Sequence, residues 1–348
     1  MMKPSLDKDN HLTVPLEWIG PIAITGPVVN EEISVPLATF ETPLWPSVNR
    51  GARVTVRSGG IHAIVADDRM TRSILLQTSS VAETAETKSW LESKRRELDE
   101  IVKKTSRFAR LLDLHFNQTA NLLFIRFEFS TGDASGHNMA TKAADKIFSW
   151  ILQNKPQAKY VSISGNYCTD KKNSSVNAIL GRGKKVIAEI LISEKICKRY
   201  LKTDPSRVVD LNIKKNLIGS IISGAVQSAN AHYANMLLAF YLATGQDAAN
   251  IVEASQGITH AEKIGNDLYF TVSLSNIIVG TVGSGKNLDI VKKNLHRLGC
   301  LESRDEGENA KRLAVLAACT VLCGELSLLS AQTNPGELMN AHERLERG

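Results

Sequence analysis

The stretch 162–172, SISGNYCTDKK, holds the densest group of reactive side chains in the sequence. A small-residue turn is followed by the thiol of Cys168, the carboxylate of Asp170 and the ammonium groups of Lys171 and Lys172. Consecutive residues of an extended or turning backbone point to different sides, so each cation can meet a different partner. Two lysines beside one carboxylate suit an anionic substrate. The alternative is a solvated surface turn, which is the usual place for a charge run.

Two further carboxylates are candidates for acid or base chemistry. Glu41 lies between the apolar residues Phe40 and Leu44. Burial raises the pKa of a carboxyl group and keeps a proton available near neutral pH, so Glu41 is a candidate acid, with a water-facing strand-end glutamate as the alternative. Asp247 follows the glycine stop at Gly245. It is a candidate cap for the next helix.

A glycine turn has the setting of a phosphate-binding site. The strand-like run NLLFIRFEFS leads directly into TGDASGHNMATKAADKIFSWILQN. A strand, a glycine turn and a helix in this order present free backbone N–H groups to a phosphate at the helix N-terminus. The spacing is not G-x-G-x-x-G, so the Rossmann fingerprint is absent.

A second glycine segment imitates a P-loop. Residues 280–286, GTVGSGK, satisfy its first seven positions between a predicted strand and a predicted helix. Position 287 is Asn, so the hydroxyl that would hold Mg²⁺ is missing, and no strand ending in an Asp for the metal is evident. Binding of a nucleoside triphosphate is therefore the second-ranked interpretation.

Composition indicates an ordinary soluble globular protein. The 348 residues are 43% hydrophobic and 22% charged, enough for roughly two domains. The net charge of +6 favours anionic ligands, but aromatic residues make up only 5%, and a nucleic-acid module is disfavoured. No two of the eight histidines lie three or four residues apart, and H-E-x-x-H is absent, so we expect no metal site.

Cysteine usage and hydropathy bear on location. The five cysteines are an odd number without a C-x-x-C pair, which is typical of a reduced, cytoplasmic chain. The N-terminal sequence lacks the apolar core of a signal peptide. The longest uninterrupted apolar run, 313–323, is shorter than the ~20 residues of a membrane span. We therefore expect no membrane association.

Hydrophobic periodicity predicts an α+β fold. Short apolar stretches between Gly and Pro predict extended strands through residues 1–56 and again over 59–77. Charged and apolar residues alternate with helical spacing from residue 82 to about 114. Residues 73–163 then read helix, strand, helix, strand. Residues 216–244 carry almost no charge, which predicts one long, buried central helix.

The motifs resemble those of one enzyme family. SGNYCTDKK at 164–172, followed by NAILGRGKKVIAE, is similar to the substrate loop of 3-hydroxy-3-methylglutaryl-coenzyme A (HMG-CoA) reductase, in a soluble form like that of class I. Nine matching residues followed by GRGK are highly specific. The resemblance extends from about Glu17 to His342, with four catalytic positions in the family's order.

The resemblance implies an NADPH-dependent reductase that converts HMG-CoA to mevalonate and CoA by two hydride transfers; the sequence does not separate NADPH from NADH. Lys171 would stabilise the oxyanion that forms on the thioester. Glu41, coupled to Asp247, would give a proton to the reduced oxygen. His342, in a mobile C-terminal flap, would protonate the departing CoA thiolate. Members of the family build this site between two subunits, which implies a homodimer or a higher oligomer.

The family's binding residues carry over position by position. Substrate contacts are assigned to Asn49, Arg50, Arg72, Ser164, Asp170, Lys172, Lys215 and Asn235. Cofactor contacts are assigned to Ser106, Arg107, Asp133, Gly136, Asn138, Met139, Gly245, Gln246, Gly283 and Gly285. The sequence departs from the family's pattern at Thr42, Pro43, Trp45, Pro46, Ser135, His137, Ser284 and Lys286. These departures leave open a catalytically silent relative that binds CoA esters as a sensor.

The resemblance also implies the domain organisation. Residues 1–72 and 164–330 would form a large, helix-rich substrate domain around the central helix. Residues 73–163 would form an inserted, ferredoxin-like domain that binds the dinucleotide. Residues 331–348 would form the C-terminal flap.

Overall fold

The computed structural model describes residues 12–346, and for residues 341, 342 and 344–346 it describes the backbone alone. The strands are β1 (Leu16–Thr25), β2 (Glu31–Ala38), β3 (Ile61–Gln77), β4 (Arg110–Thr119), β5 (Leu122–Ser130), β6 (Lys159–Ile163), β7 (Gly183–Ile192), β8 (Gly257–Ile264) and β9 (Asp267–Ile277). The helices are α1 (Leu44–Arg57), α2 (Val81–Glu92), α3 (Arg95–Thr105), α4 (His137–Asn154), α5 (Ser175–Leu180), α6 (Glu194–Ile196), α7 (Pro205–Leu211), α8 (Gly219–Ile222), α9 (Tyr233–Ala243), α10 (Ile251–Ala254), α11 (Asp289–Arg297), α12 (Glu308–Gln332) and α13 (Glu337–Glu346). The fold is a mixed α+β fold, as predicted.

The long strand β3 belongs to two sheets. Up to Arg69 it pairs with β7 inside the order β2-β1-β3-β7-β9-β8. From Met70 onward it pairs with β5 and β6, in the order β4-β5-β3-β6. Arg72 therefore lies just past the point where the strand changes partners, beside both halves of the molecule.

Helix α12 lies at the centre of the larger core. It is apolar on all sides, and nearly all of its side chains are buried. Helix α1 crosses it so closely that a Cβ on Gly51 would lie 2.1 Å from the carbonyl oxygen of Cys323, which requires glycine there. α12 is long and apolar enough to span a membrane, but 94% of its most apolar window is buried inside the protein. That burial is the pattern of a core helix.

A second core lies over the sheet that contains β4, β5 and β6. Helices α3 and α4 cover this sheet, with Ile147, Phe148 and Ile151 fully or almost fully buried on α4. Trp90 of α2 stacks on Trp150 of α4, with 5.1 Å between the ring centroids. This core is built almost entirely from residues 70–158, so this part of the chain packs largely on itself.

The predicted single helix over 216–244 is wrong. A π-helical turn, Asn212–Ile218, and the short α8 precede an irregular segment, and α9 begins only at Tyr233. Gly224 adopts a left-handed φ of 71°, which ends a helix, and Ala229 then pairs with β8 through bonds to Gly257 and Thr259. Because β8 satisfies this backbone, the helix is interrupted despite its apolar sequence. The long buried helix is α12 instead.

The expectation of extended structure around residues 44–56 is also wrong. These residues form α1, with Pro43 at its N-cap and Pro46 in its first turn. Proline is tolerated there because N–H groups of the first turn have no helical partner. Leu44, Val48 and Ala52 then form the buried face.

The predicted helix over 82–114 is correct only up to Thr105. It is split between Glu92 and Arg95, and Arg110–Thr119 forms the edge strand β4. After the shared strand β3, residues 78–163 therefore run α, α, β, β, α, β rather than helix, strand, helix, strand. Pairing with β5 over the length of β4 overrides the helical spacing of Leu111 and Leu112.

Candidate active site

The loop between β6 and α5 holds an unusual backbone. Ser164, Asn166, Thr169 and Lys171 all have φ between 45° and 105°, in the region that L-residues rarely occupy. Hydrogen bonds to residues outside the loop hold it: Ser164 N–H donates to Ser73 O at 2.9 Å. Strained non-glycine residues persist where the surroundings fix them, and such sites are often functional.

Lys171 and Asp247, two of the predicted catalytic residues, form an ion pair. Lys171 Nζ is 2.8 Å from Asp247 Oδ2, and the two side chains are 42% and 48% exposed. The hydrogen bond to Asp247 raises the pKa of Lys171, so the ammonium stays charged at neutral pH. Asp247 Oδ1 also accepts from Ala249 N–H at 3.1 Å, so the aspartate is both helix cap and ion-pair partner.

A buried arginine anchors the neighbouring Asp170. Arg182 is fully buried, and its NH2 donates to Asp170 Oδ1 at 2.7 Å, while Arg72 NH2 lies 3.6 Å from Oδ2. Burial opposes the charged form of Asp170, but the guanidinium groups of Arg182 and Arg72 outweigh it and lower its pKa. The sequence predicted Asp170 and Arg72 as substrate-binding residues, and in the structure their side chains lie next to each other.

Glu253 lies beneath this arrangement. It is fully buried, accepts from Lys171 N–H at 3.1 Å through Oε1, and lies 3.5 Å from Arg182 Nε. Burial raises its pKa, against the opposing effect of Arg182 and its hydrogen bonds. Glu253 therefore fixes the backbone of Lys171 from inside the protein, while the ammonium of Lys171 faces outward, where it pairs with Asp247.

Glu41 belongs to a separate group. Asn235 Nδ2 donates to Glu41 Oε2 at 3.0 Å and lies 3.5 Å from His232 Nδ1, whose other nitrogen is 3.0 Å from Gly324 O. These side chains line a cavity of about 380 Å³ under the C-terminal helix α13. Arg50 lines the same cavity, and it also borders a smaller one.

Lys215 lies on the same side as Glu41. Its Nζ donates to Asn216 Oδ1 at 3.1 Å, and burial lowers its pKa while Glu325 works in the opposite direction. The carboxylate of Glu325 accepts the N–H groups of Ala231 and His232. A lysine in this half-desolvated position is poised for an anionic ligand.

Helix α9 keeps the two groups apart within one chain. Asn235 is near its start, and Asp247 follows its end. From Asn235 to Ala243, the last residue of α9, the helix rises by about 12 Å. Among the residues that the structure describes, no hydrogen bond or ion pair joins Glu41 to Lys171 or Asp247.

Three glycine-rich segments meet beside the Lys171–Asp247 pair. Asp133 O accepts from Thr281 N–H at 2.8 Å, and Gln246 Oε1 accepts from Gly280 N–H at 2.9 Å. A Cβ on Gly245 would lie 2.7 Å from Gly285 O, so the backbones touch. Gly136 is the N-cap of helix α4, and no side chain caps this N-terminus, which leaves N–H groups available to an anion.

Known proteins match the chain over nearly its full length. The family model described as hydroxymethylglutaryl-coenzyme A reductase matches residues 11–347. The 3-hydroxy-3-methylglutaryl-coenzyme A reductase of Aeropyrum pernix is 44% identical over 337 residues, covering 96% of this chain and 80% of the relative. That of Methanocaldococcus jannaschii is 41% identical, covering 97% and 83%. The chain belongs to the hydroxymethylglutaryl-coenzyme A reductase family.

Solved structures agree with this reductase assignment at the level of fold. A class II 3-hydroxy-3-methylglutaryl-CoA reductase from Streptococcus pneumoniae, bound to NADPH in open conformations, superposes with a TM-score of 0.75 at 19% identity. The match covers 93% of this chain and 86% of that one. At this identity the likeness concerns the fold alone.

Several other predicted site residues make only local contacts within one chain, or lie outside the described side chains. Asn49 accepts from Gly20 N–H at 3.4 Å, and Lys172 turns back to Asp170 O. Ser106 accepts from Phe108 N–H, and the exposed Arg107 stacks on the Phe108 ring at 4.6 Å, so both lie at the surface between α3 and β4. His342 lies in α13, and its side chain is outside the part that the structure describes.

The sequence did not predict four residues that hold the candidate active site in place. Arg182 and Glu253 hold the loop from inside, His232 orients Asn235, and Lys286 donates to Gly245 O. The motif GRGK after the substrate loop was the available signal for Arg182. The other three have no local signal, because their partners are distant in sequence.

The P-loop-like segment has a different use in this reductase. The ammonium of Lys286 is buried and bonds to the carbonyl of Gly245, where burial lowers its pKa to about 8. A P-loop lysine must instead face bound phosphates. The geometry therefore favours the reductase interpretation over nucleoside triphosphate binding.

One cluster outside the site has the composition of a metal site. Ligand atoms of Asp113, His115 and Glu128 lie within 4.8 Å of one another. Glu128 already pairs with Arg126 at 3.0 Å and with Arg69. Two guanidinium groups on the central carboxylate oppose binding of a cation, so we assign no metal here.

Glu337 ties α13 to the cavity, and we predict that Glu337→Gln loosens this helix. Arg50 NH1 lies 2.6 Å from Glu337 Oε1, with both side chains 25% exposed. Losing a partly exposed pair costs about 1 kcal/mol, which corresponds to roughly five-fold faster amide exchange in α13. Hydrogen exchange of residues 337–346 measures this. Glu308→Gln, which breaks a similar pair with Lys311, should leave α13 unchanged, and equal exchange in both variants would contradict the prediction.

Proposed function

We propose that this protein catalyses the reductive deacylation of HMG-CoA to mevalonate and CoA with NADPH. The observation that carries the proposal is the Lys171–Asp247 pair, which lies on a strained loop beside the meeting point of three glycine segments. Family membership supports the same reaction.

Lys171 is the electrostatic catalyst. Its ammonium is charged at neutral pH and points outward, where the thioester oxygen gains negative charge as the carbonyl is reduced. A fixed positive donor at such an oxygen is commonly worth ~3 kcal/mol of barrier. Asp247 orients the ammonium, and Glu253 fixes the backbone that carries it.

Acid and base roles fall to groups on the other side of α9. Glu41 is hydrogen-bonded by Asn235 and delivers a proton to the reduced oxygen. His342, on α13, protonates the leaving CoA thiolate. The cavity under α13 is lined by Glu41 and Asn235 and has room for the acyl end of the substrate.

Substrate recognition uses the charged residues around the loop. Arg72, Asp170, Ser164 and Lys172 orient the carboxylate and hydroxyl of the substrate from the loop side. Lys215, Asn235, Asn49 and Arg50 contribute from the side of Glu41. The net charge of +6 fits a substrate that carries a carboxylate and phosphates.

The glycine segments fit a dinucleotide. NADPH supplies hydride at this site when bound. Space is open beside Gly283, where an added Cβ would meet no atom within 4 Å, and the uncapped N-terminus of α4 offers N–H groups to phosphate. The exposed guanidinium of Arg107, with Ser106, suits the ribose phosphate that distinguishes NADPH from NADH. The Streptococcus pneumoniae reductase of the same fold binds NADPH.

A homodimer completes the catalytic set. Within one chain, Asn235, which contacts Glu41, lies about 12 Å along α9 from the end of the helix that precedes Asp247, so we infer that a second copy of the chain brings a Glu41 to the Lys171–Asp247 pair. Around α8 the protein exposes Ile218, Ile221 and Ile222, at 48%, 78% and 81%, in a stretch typical of a subunit interface. The active site lies between the subunits.

Each domain has a separate role in the proposed reaction. Residues 73–163 bind the dinucleotide as a ferredoxin-like domain, supported by the strand order β4-β5-β3-β6 under α3 and α4. Residues 1–72 and 164–330 form the substrate domain around a buried central helix, and residues 331–348 form the flap. All five cysteines are free and buried, which supports a reducing, cytoplasmic location.

A spectrophotometric assay tests the function. The purified protein should oxidise NADPH in the presence of HMG-CoA and release free CoA, with two equivalents of NADPH consumed for each mevalonate formed. Parallel assays with NADH measure cofactor preference. Binding of HMG-CoA without any nicotinamide oxidation would reject the proposal in favour of a catalytically silent CoA-ester sensor. Protection by Mg²⁺-ATP against thermal unfolding would favour the nucleotide-binding alternative.

A further inference from the structure

His137 joins the cofactor turn to the substrate loop. It is the first residue of α4, and its Nε2 lies 3.8 Å from Asp170 Oδ1. Its Nδ1 lies 3.4 Å from the hydroxyl of Ser135. Nε2 is buried and has no hydrogen-bond partner. A buried donor without a partner, aimed at the carboxylate predicted to bind substrate, requires an explanation.

The surroundings keep this imidazole neutral. Burial lowers the pKa of His137 to about 4, with Arg182 and Lys171 adding to the effect and with Asp170 and Asp247 opposing it. A neutral ring carries one proton. If Nδ1 accepts from Ser135, that proton is on Nε2, the nitrogen that faces Asp170. The remaining separation exceeds hydrogen-bonding distance, so the bond is open when no ligand is bound.

We propose that His137 is a positioning residue whose Nε2–H closes onto Asp170 in the ligand-bound enzyme and couples cofactor binding to substrate binding. This inference rests on the proposed function. Oδ1 of Asp170 already accepts from Arg182, and a second fixed donor on the same oxygen leaves Oδ2, which lies 3.6 Å from Arg72, directed toward the substrate's hydroxyl. A methionine, which the family's pattern has at this position, cannot donate this bond.

Calorimetric titration with HMG-CoA, in the presence and absence of NADP⁺, tests the inference. We expect NADP⁺ to tighten HMG-CoA binding several-fold in the wild type. His137→Met should weaken binding about ten-fold with NADP⁺ present and should remove the effect of NADP⁺. His137→Gln keeps a donor and should restore most of the coupling. In an Asp170→Asn background, His137→Met should add less than two-fold, because the pair acts as one unit.

His260→Met is the matched control. His260 Nε2 also lies 3.8 Å from a carboxylate, that of Glu262, but both side chains are more than half exposed. This variant should bind as the wild type does. Unchanged coupling in His137→Met, or additive effects with Asp170→Asn, would overturn the inference while the wild type still binds and turns over HMG-CoA. Failure of the wild type to bind HMG-CoA would instead reject the proposed function.

Discussion

We expect Lys171→Ala to lower kcat for HMG-CoA by about 10³-fold while the protein stays folded. The ammonium of Lys171, which pairs with Asp247, is the charged donor for the oxyanion that develops on the thioester. Alanine at this position leaves the oxyanion without that donor. Stability changes little, because the lost ion pair is nearly half exposed and such pairs contribute at most about 1 kcal/mol. Stopped assays of CoA release together with circular dichroism measure both effects.

A matched lysine separates charge from position. Lys214 Nζ lies 2.7 Å from Asp210, also as an exposed ion pair, but it is four residues along a helix and away from the loop. Lys214→Ala should therefore keep wild-type kcat. Lys171→Arg keeps a cation but not its compact point charge, and it should recover only part of the activity. Turnover of Lys171→Ala within ten-fold of the wild type would remove the lysine from the mechanism.

The substrate loop could be predicted from sequence because its chemistry is contiguous. Asp170, Lys171 and Lys172 are neighbours in the chain, and the turn before them has no other obvious purpose. The resemblance gave Lys171 and Asp247 as separate catalytic positions, and the structure joins their side chains in an ion pair at 2.8 Å. The carboxylate that holds this loop from inside the protein is distant in sequence. Glu253 accepts a hydrogen bond from the backbone N–H of Lys171, which lies 82 residues away in the chain.

Helix boundaries failed where tertiary partners overrode local pattern. Residues 216–244 have the composition of one buried helix, yet β8 binds Ala229 and divides it. Leu111 and Leu112 continue a helical spacing, yet β5 pairs as a strand with Leu111 and, past an irregularity at Leu112, with Asp113 onward. Periodicity reports which residues avoid water. It does not report which backbone groups will find a partner in another element.

The separation of Glu41 from Lys171 could not be read from sequence at all. Both are catalytic positions in the family's order, but the order says nothing about which copy of the chain supplies each one. The structure supplies this separation, because most of α9 lies between Asn235, which contacts Glu41, and Asp247.

We expect Arg182→Met to destabilise the protein by about 3–5 kcal/mol and to lower its thermal unfolding midpoint by about 4–7 °C. Arg182 is fully buried and donates to Thr71 O and Oγ1, both at 2.7 Å, as well as to Asp170. Its loss leaves the buried carboxylate of Glu253 without its cation. Urea unfolding at neutral pH measures the loss in the free energy of unfolding. Lys214→Ala removes an exposed cation and should leave the urea midpoint unchanged.

The deficit of Arg182→Met should shrink as the pH falls. Burial already raises the pKa of Glu253, and loss of Arg182 raises it further. Between the unfolded and folded pKa values the native state then binds more protons than the unfolded state, so stability rises as the pH is lowered through that window. Unfolding at pH 7.5 and 5.5 compares the two conditions. Glu253→Gln in the same background should recover part of the loss at the higher pH, because the neutral amide needs no cation. A deficit that is the same at both pH values, and unrelieved by the amide, would mean that Arg182 acts through packing rather than through charge.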